Sequence, residues 1–253
     1  MQQKDFRKLG CAECASGSDL GFDFTMAFQP IVDVQTKRIF AQEALVRGRR
    51  GESAFHVFQQ VNETNRYRFD QSCRVKAIKL AAELNIAQDS FLSINFLPNA
   101  VYKPELCIRT TLNAAETFQF PKEKIIFEFT ENEQITDSQH LESIITHYQQ
   151  QGFLTATDDF GSGFNGLNQL ADLKTDMAKI DMVLIRHIDQ DQKRRIIVRN
   201  LVRLFSDLDM TLIAEGVETQ NEFHVLRDMG VRLFQGYYFA KPCFESLAPV
   251  HWG

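Results

Sequence analysis

Seven polar residues fall at or near the ends of apolar segments in this chain. Glu43 closes FAQE, Asn95 closes FLSIN, Glu128 sits in IIFEFTE, Asp158 and Asp159 close LTATDD, Lys179 falls in MAKID and Glu215 closes TLIAE. Carboxylates gathered in one place repel one another and need a counter-charge. The oxygen set Glu43, Asn95, Glu128, Asp158, Asp159 and Glu215 suits a hard divalent cation, Mg²⁺ or Mn²⁺. Zinc fits poorly, because no histidine falls at such an end and the cysteines are scattered. Adjacent aspartates can bridge two ions ~3.5 to 4 Å apart, and water held between such ions is a strong nucleophile at neutral pH. For any one residue the blander reading stays open, since Asp and Asn commonly occupy strand-end turns. Recurrence on segment after segment points to a site.

An anionic substrate enters such a nest only once metal is bound, so metal and substrate binding are expected to be coupled. Arg47 can supply a charge-assisted contact to a phosphate oxygen, or be a surface residue of the run Arg47, Gly48, Arg49, Arg50. After Asp159 the sequence FGSGFNGL carries Gly161, Gly163 and Gly166, a turn that can bend close to a ligand. It lacks the Gly-Lys-Ser/Thr of a nucleotide P-loop.

Residues this far apart in sequence need a scaffold that gathers them. Short β-branched or aromatic runs alternate with stretches of helical period, which predicts parallel strands joined by helical crossovers. The strands are expected at 24–34, 39–46, 91–96, 125–130, 154–158, 177–180, 211–214 and 233–237. Helices are expected at 53–85 (two), 100–117, 137–151, 190–208 and 219–229. The first two strands are joined too tightly for a crossover helix and should form an antiparallel hairpin. In the 190–208 helix, Ile197, Leu201, Leu204, Phe205 and Leu208 are expected to form the core stripe. Eight strands with interposed helices predict an α/β fold, a modified TIM (β/α)8 barrel with one antiparallel strand, whose strand C-termini share one face. Residues 1–21 read as a leader or linker ahead of a single domain at 22–253.

The chain has 253 residues, 44% hydrophobic and 24% charged, the profile of an ordinary globular protein. With 28 basic and 33 acidic residues and a net charge of -5, it has no global field to hold polymeric nucleic acid. No apolar run reaches membrane-spanning length and no secretory segment opens the chain, which points to a cytoplasmic protein with no membrane span. Five cysteines, an odd number, argue against a disulfide framework. Cys11 and Cys14 make a C-x-x-C pair with no second pair, read as an inert tail.

Taken together, these segments resemble the EAL domain of cyclic di-GMP phosphodiesterases over about residues 24 to 243. Glu43, Ala44 and Leu45 match the motif that names the family, Arg47 follows, and Gln29, Pro30 and Ile31 match its QPI segment. Glu128 to Glu131 match ExTE, Asp158 to Gly161 DDFG, Lys179 to Asp181 the lysine strand, Ala214 to Glu218 AEGVE, and Gln235 to Tyr237 QGY. Departures are modest: Gln42 stands where a small residue is frequent, Phe96 and Leu97 replace Leu-Ser, and the loop reads GSGFNGL.

The resemblance implies hydrolysis of cyclic di-GMP to linear pGpG by a metal-activated water, with two ions of Mg²⁺ or Mn²⁺ and a homodimeric assembly. It implies Glu43, Asn95, Glu128 and Asp158 for the first ion, and Asp159, with Asp158 and Glu215, for the second. Lys179, Glu215 and Glu43 would carry the catalysis, with Lys179 steadying or deprotonating the water. Gln29, Leu45, Arg47 and Gln235 would bind substrate. Glu218 would support the ligands from behind and Glu131 would brace the glycine-rich loop. The alternatives are a catalytically silent cyclic di-GMP receptor signalling through a protein partner, and a barrel metallohydrolase acting on another phosphodiester.

Overall fold

The computed structural model describes residues 20–101, 103–130, 138–163 and 166–252. Cys11 and Cys14, most of the expected leader, and Glu131 lie outside the described residues.

Strand β1 (Phe24–Asp33) turns back at once into β2 (Arg38–Gly48), and the two form the expected antiparallel hairpin. Then follow α1 (Ala54–Phe58), α2 (Arg66–Glu83), β3 (Phe91–Asn95), α3 (Pro104–Thr117), β4 (Ile125–Thr130), α4 (Ser138–Gln150) and β5 (Leu154–Phe160). The chain continues through α5 (Gly166–Asp172), β6 (Met177–Ile180), α6 (Met182–Ile185), α7 (Gln192–Asp207), β7 (Thr211–Ala214), α8 (Gln220–Asp228), β8 (Leu233–Phe234) and β9 (Cys243–Phe244). Strands β2 to β8 pair in parallel in sequence order, and β1, antiparallel to both β2 and β8, closes the barrel. Strand β9 adds to β1 from outside the ring. This is the modified TIM barrel expected from the alternation of strand and helix signals.

What positions the site is the two-residue period of a strand, which sends alternate side chains to opposite faces. Ile31, Ala41, Ile126, Ala156, Met177, Ile213 and Leu233, each from a different strand, form one buried apolar cluster. Two residues further toward the same rim stand Gln29 (on the reversed β1), Glu43, Glu128, Asp158, Lys179, Glu215 and Gln235. An apolar plug thus fills the barrel beneath a polar layer. The residues between them face outward, where Ile94, Phe127, Ala178, Ala214 and Phe234 pack in clusters shared with the helices.

Several local expectations are corrected. In α7 the buried side chains are Val198 and Phe205, with Leu201 and Val202 packed alongside. Ile197 (47% exposed) and Leu208 (45%) face outward. The stripe runs 198, 201/202, 205, so Ile197 lies about 100° round the helix from it. The short helices α5 and α6 were not expected. Strand β8 ends at Phe234 rather than at 237. There Gly236 approaches the chain so closely that an added Cβ would meet the Val217 carbonyl oxygen at 2.1 Å. Val217 has no room to withdraw, because it donates to the Gln235 carbonyl at 3.1 Å and accepts from the Tyr238 N–H at 3.0 Å. Gly236→Ala should therefore cost about 1–3 kcal/mol by overpacking, read as a lowered thermal midpoint. No helix among the described residues is long and apolar enough to cross a membrane.

Candidate metal centre

The structure brings the expected residues together on the strand C-terminal rim. One acidic oxygen each from Glu43, Glu128 and Asp158 lies within 4.8 Å of the others, and the same holds for Asp158, Asp159 and Glu215. Asp158 belongs to both sets, the arrangement a bridging ligand requires. Asp159 joins it through an irregularity of β5, whose register with β6 shifts between Thr157 and Phe160. Asp159 itself is left-handed at φ 56°. Such a bulge re-aims side chains, and Asp is among the non-glycine residues that tolerate this backbone region.

Lys179 is buried at the centre of the cage. Its ammonium lies 2.8 Å from Glu128, 3.1 Å from Asp158 and 3.5 Å from Glu43, and it also pairs with Glu215. A ring of amides frames Glu43: Asn95 Nδ2 donates to its Oε1 at 2.8 Å, and Gln235 Nε2 donates to its Oε2 at 2.7 Å. Gln29 Nε2 is tied to the Ala240 carbonyl at 3.1 Å. With its Nδ2 edge turned to Glu43, Asn95 also carries a side-chain carbonyl of the kind a hard cation accepts. The opposite edge of Glu128 accepts from the Ser93 hydroxyl. Ser93 was not anticipated, although it precedes Asn95 by two residues and so shares its strand face.

Four carboxylates facing one ammonium set the electrostatics. Burial pushes the Glu128 carboxyl up to about 8, reinforced by Glu43 and Asp158 and opposed by Lys179. Glu215 is raised too, by burial first and then by Asp158, Glu43 and Glu128. Burial disfavours a charged Lys179, yet Asp158, Glu128, Glu215 and Glu43 together hold it well above the ordinary lysine range. The lysine stays charged and the excess negative charge is relieved by protons.

A carboxyl whose folded pKa exceeds its unfolded value binds more protons folded than unfolded between the two, so stability falls as pH rises through that interval. With a chelator present, the thermal midpoint should fall between about pH 5 and about pH 8, and Glu128→Gln should flatten the decline. A divalent cation competes with those protons, so its affinity should rise over the same range.

The donor set fits a hard divalent cation: carboxylates plus one amide carbonyl, with no thiol or imidazole. Among the described residues, Asp158 Oδ1 and Gln235 Oε1 are buried and accept no hydrogen bond; Asp158 Oδ1 has only the ion-pair contact with Lys179. Beside the cage opens a largely apolar cavity of about 280 Å³, walled by Leu45, Phe58, Phe69, Ile94 and Leu97 and reaching Asp158 and Asp159.

Other expected residues lie further out. Arg47, two residues beyond Leu45 on the same strand face, donates to the Val46 carbonyl at 2.7 Å. Glu218 is half-exposed and pairs with Arg186 at 2.9 Å. Beneath it, the buried Glu222 closes a capping box with Thr219 at the start of α8 and accepts the Glu218 N–H at 3.2 Å. In the glycine-rich turn, Gly161 is left-handed at φ 94°, and a Cβ there would meet Leu184 at 2.2 Å.

Comparison with known proteins agrees with this geometry. An EAL protein of Vibrio cholerae O395, solved in a form bound to c-di-GMP and described as standalone and versatile, is 60% identical, with a TM-score of 0.87. The match covers 91% of this chain and 96% of that one. Klebsiella pneumoniae BlrP1, solved with manganese and cyclic di-GMP, is 33% identical with a TM-score of 0.83, over 88% of this chain and 56% of that one. Among curated relatives, the blue light- and temperature-regulated antirepressor BluF of Escherichia coli is 30% identical over 89% of this chain and 56% of its own length. A cyclic di-GMP phosphodiesterase of Pseudomonas aeruginosa, PA2567, is 28% identical over 95% of this chain and 42% of its own length. The chain thus spans about half the length of these curated relatives. The sequence model of the EAL domain matches residues 20–242, and with a barrel, rim and relatives that all agree, this chain belongs to the EAL domain family.

Proposed function

We propose that this protein is a phosphodiesterase dependent on Mg²⁺ or Mn²⁺ that opens cyclic di-GMP to linear pGpG. The observation that carries the reading is the convergence of Glu43, Glu128, Asp158 and Glu215 around Lys179 at the barrel rim, with Asp159 beside Asp158 and Glu215 and an apolar cavity alongside.

Glu43, Asn95, Glu128 and Asp158 would hold one cation, and Asp158, Asp159 and Glu215 a second. When bound, such ions polarise a phosphate oxygen and acidify water. The chain's own residues do the rest. Lys179, pinned by Glu128 and Glu215, orients the attacking water and stabilises charge where phosphorus is approached. Glu215, at the same rim and paired with Lys179, would take the water's proton once bound cations keep it ionised. Gln235 and Asn95 keep Glu43 in one rotamer. Leu45 and Phe58 offer a guanine base an apolar wall, and Arg47, near the end of β2 beyond Leu45, would meet a phosphate oxygen. Addition of one water to one phosphodiester yields a 5′-phosphate and a free 3′-hydroxyl.

A second reading, a receptor that binds cyclic di-GMP without cleaving it, draws support from the relative named as an antirepressor. One assay separates the two. Purified protein is incubated with cyclic di-GMP and Mg²⁺ or Mn²⁺, with and without chelator, and the products are identified. Release of pGpG that stops on chelation supports the enzyme; binding without turnover supports the receptor. Faster turnover of bis-p-nitrophenyl phosphate than of cyclic di-GMP would indicate another substrate.

A further inference from the structure

Arg74 and Asp70 lie on α2, one turn apart, and make an ion pair of 2.7 Å at 0% and 1% side-chain exposure. Neither belongs to the carboxylate cage. The Arg74 guanidinium lies 5.4 Å from the Phe96 ring centre, 5.2 Å from Phe127 and 5.7 Å from Tyr148, and it donates to the Tyr148 hydroxyl at 2.8 Å. Asp70 Oδ1 accepts the backbone N–H of Leu97 at 2.9 Å. These partners adjoin the cage: Phe96 follows Asn95, Leu97 comes next, and Phe127 precedes Glu128. The Phe96 N–H donates to the Glu128 carbonyl at 2.9 Å, tying the two strand ends together.

Stability alone does not account for this pair. Burying two charges is costly, and well-packed apolar side chains of similar volume commonly serve as well or better. What an apolar pair cannot do is accept the Leu97 N–H. That bond fixes the chain where it leaves β3, just beyond an Asn95 side chain that is itself exposed and tethered to Glu43.

We infer that Asp70, held by Arg74, is a positioning residue for the metal centre, fixing the β3 exit so that Asn95 and Glu128 present their oxygens to one cation. The inference rests on the reading of these two as cation ligands. Groups behind a metal's direct ligands typically contribute about 10- to 100-fold in metal affinity.

The test measures Mn²⁺ binding by the full chain, from the electron paramagnetic resonance of free Mn²⁺, together with thermal melts. Asp70→Leu/Arg74→Met keeps the volume, removes both charges and leaves Leu97 without an acceptor. It should melt near the wild type and bind Mn²⁺ about tenfold more weakly. Asp70→Asn/Arg74→Met restores a neutral acceptor for Leu97 and should bring affinity back to within about threefold of wild type. The inference is overturned if the leucine variant binds Mn²⁺ like the wild type, or if the asparagine variant binds no better than the leucine one. Should the leucine variant not fold, Tyr148→Phe, which removes the hydroxyl that anchors Arg74, takes its place, and unchanged Mn²⁺ affinity there overturns the inference. A wild-type protein that binds no Mn²⁺ sinks the metal-centre reading, and the inference with it.

Discussion

Lys179→Met should abolish turnover while tightening metal binding. The ammonium it removes is fully buried and touches Glu43, Glu128, Asp158 and Glu215, so four carboxylates lose their shared counter-charge. Removing one partner of a buried ion pair commonly costs about 3–5 kcal/mol, because the remaining charge is left uncompensated. With chelator present the variant should therefore melt well below the wild type. The deficit should widen with rising pH, as the protons that relieve the cage are withdrawn. Added Mn²⁺ should recover most of the loss, since a divalent cation no longer shares the cage with an ammonium. Hydrolysis of cyclic di-GMP should still fall roughly 100- to 10,000-fold, the usual worth of a positioned proton-handling group. Thermal melts with and without Mn²⁺, set beside the rate at saturating metal, make the check. A variant that is equally stable without metal would mean that Lys179 does not compensate the cage.

Glu43→Ala should abolish turnover by the opposite route, through weaker metal binding. Glu43 is a proposed ligand and also the acceptor for Asn95 at 2.8 Å and Gln235 at 2.7 Å. Truncation releases both amides and leaves the buried Gln235 amide with only its 3.4 Å bond to Gln29, a loss of up to about 1–3 kcal/mol. Groups behind a ligand are worth about 10- to 100-fold, so a direct ligand should cost at least about 100-fold in activity, with metal half-saturation displaced upward. Rates measured against Mg²⁺ concentration test this. Near-normal activity at saturating Mg²⁺ would remove Glu43 from the ligand set. The two variants thus move metal affinity in opposite directions while both lose turnover, a pattern that general destabilisation does not produce.

Much of this architecture is legible in sequence because a strand repeats every two residues and the barrel gives all its parallel strands one direction. Once Ala41, Ile126, Ala156, Met177 and Ile213 are seen as inward apolar positions, the next inward residue on each strand is Glu43, Glu128, Asp158, Lys179 or Glu215. The 3.6-residue period is less forgiving. Ile197 and Val198 are adjacent and equally apolar, and only contact with the barrel buries one and exposes the other. Short helices such as Met182–Ile185 carry less than two turns of pattern and depend on their neighbours.

The amino-acid sequence by itself determined the fold class, the antiparallel hairpin and which strand ends carry oxygen-bearing side chains, because each is a local property of residue type and period. Only the tertiary structure decided that one ammonium serves four carboxylates, that a left-handed Asp159 swings into a set with Asp158 and Glu215, and that an ion pair on α2 grips the exit of β3. Those depend on distances between residues far apart in the chain, which closure of the barrel sets and no local pattern encodes.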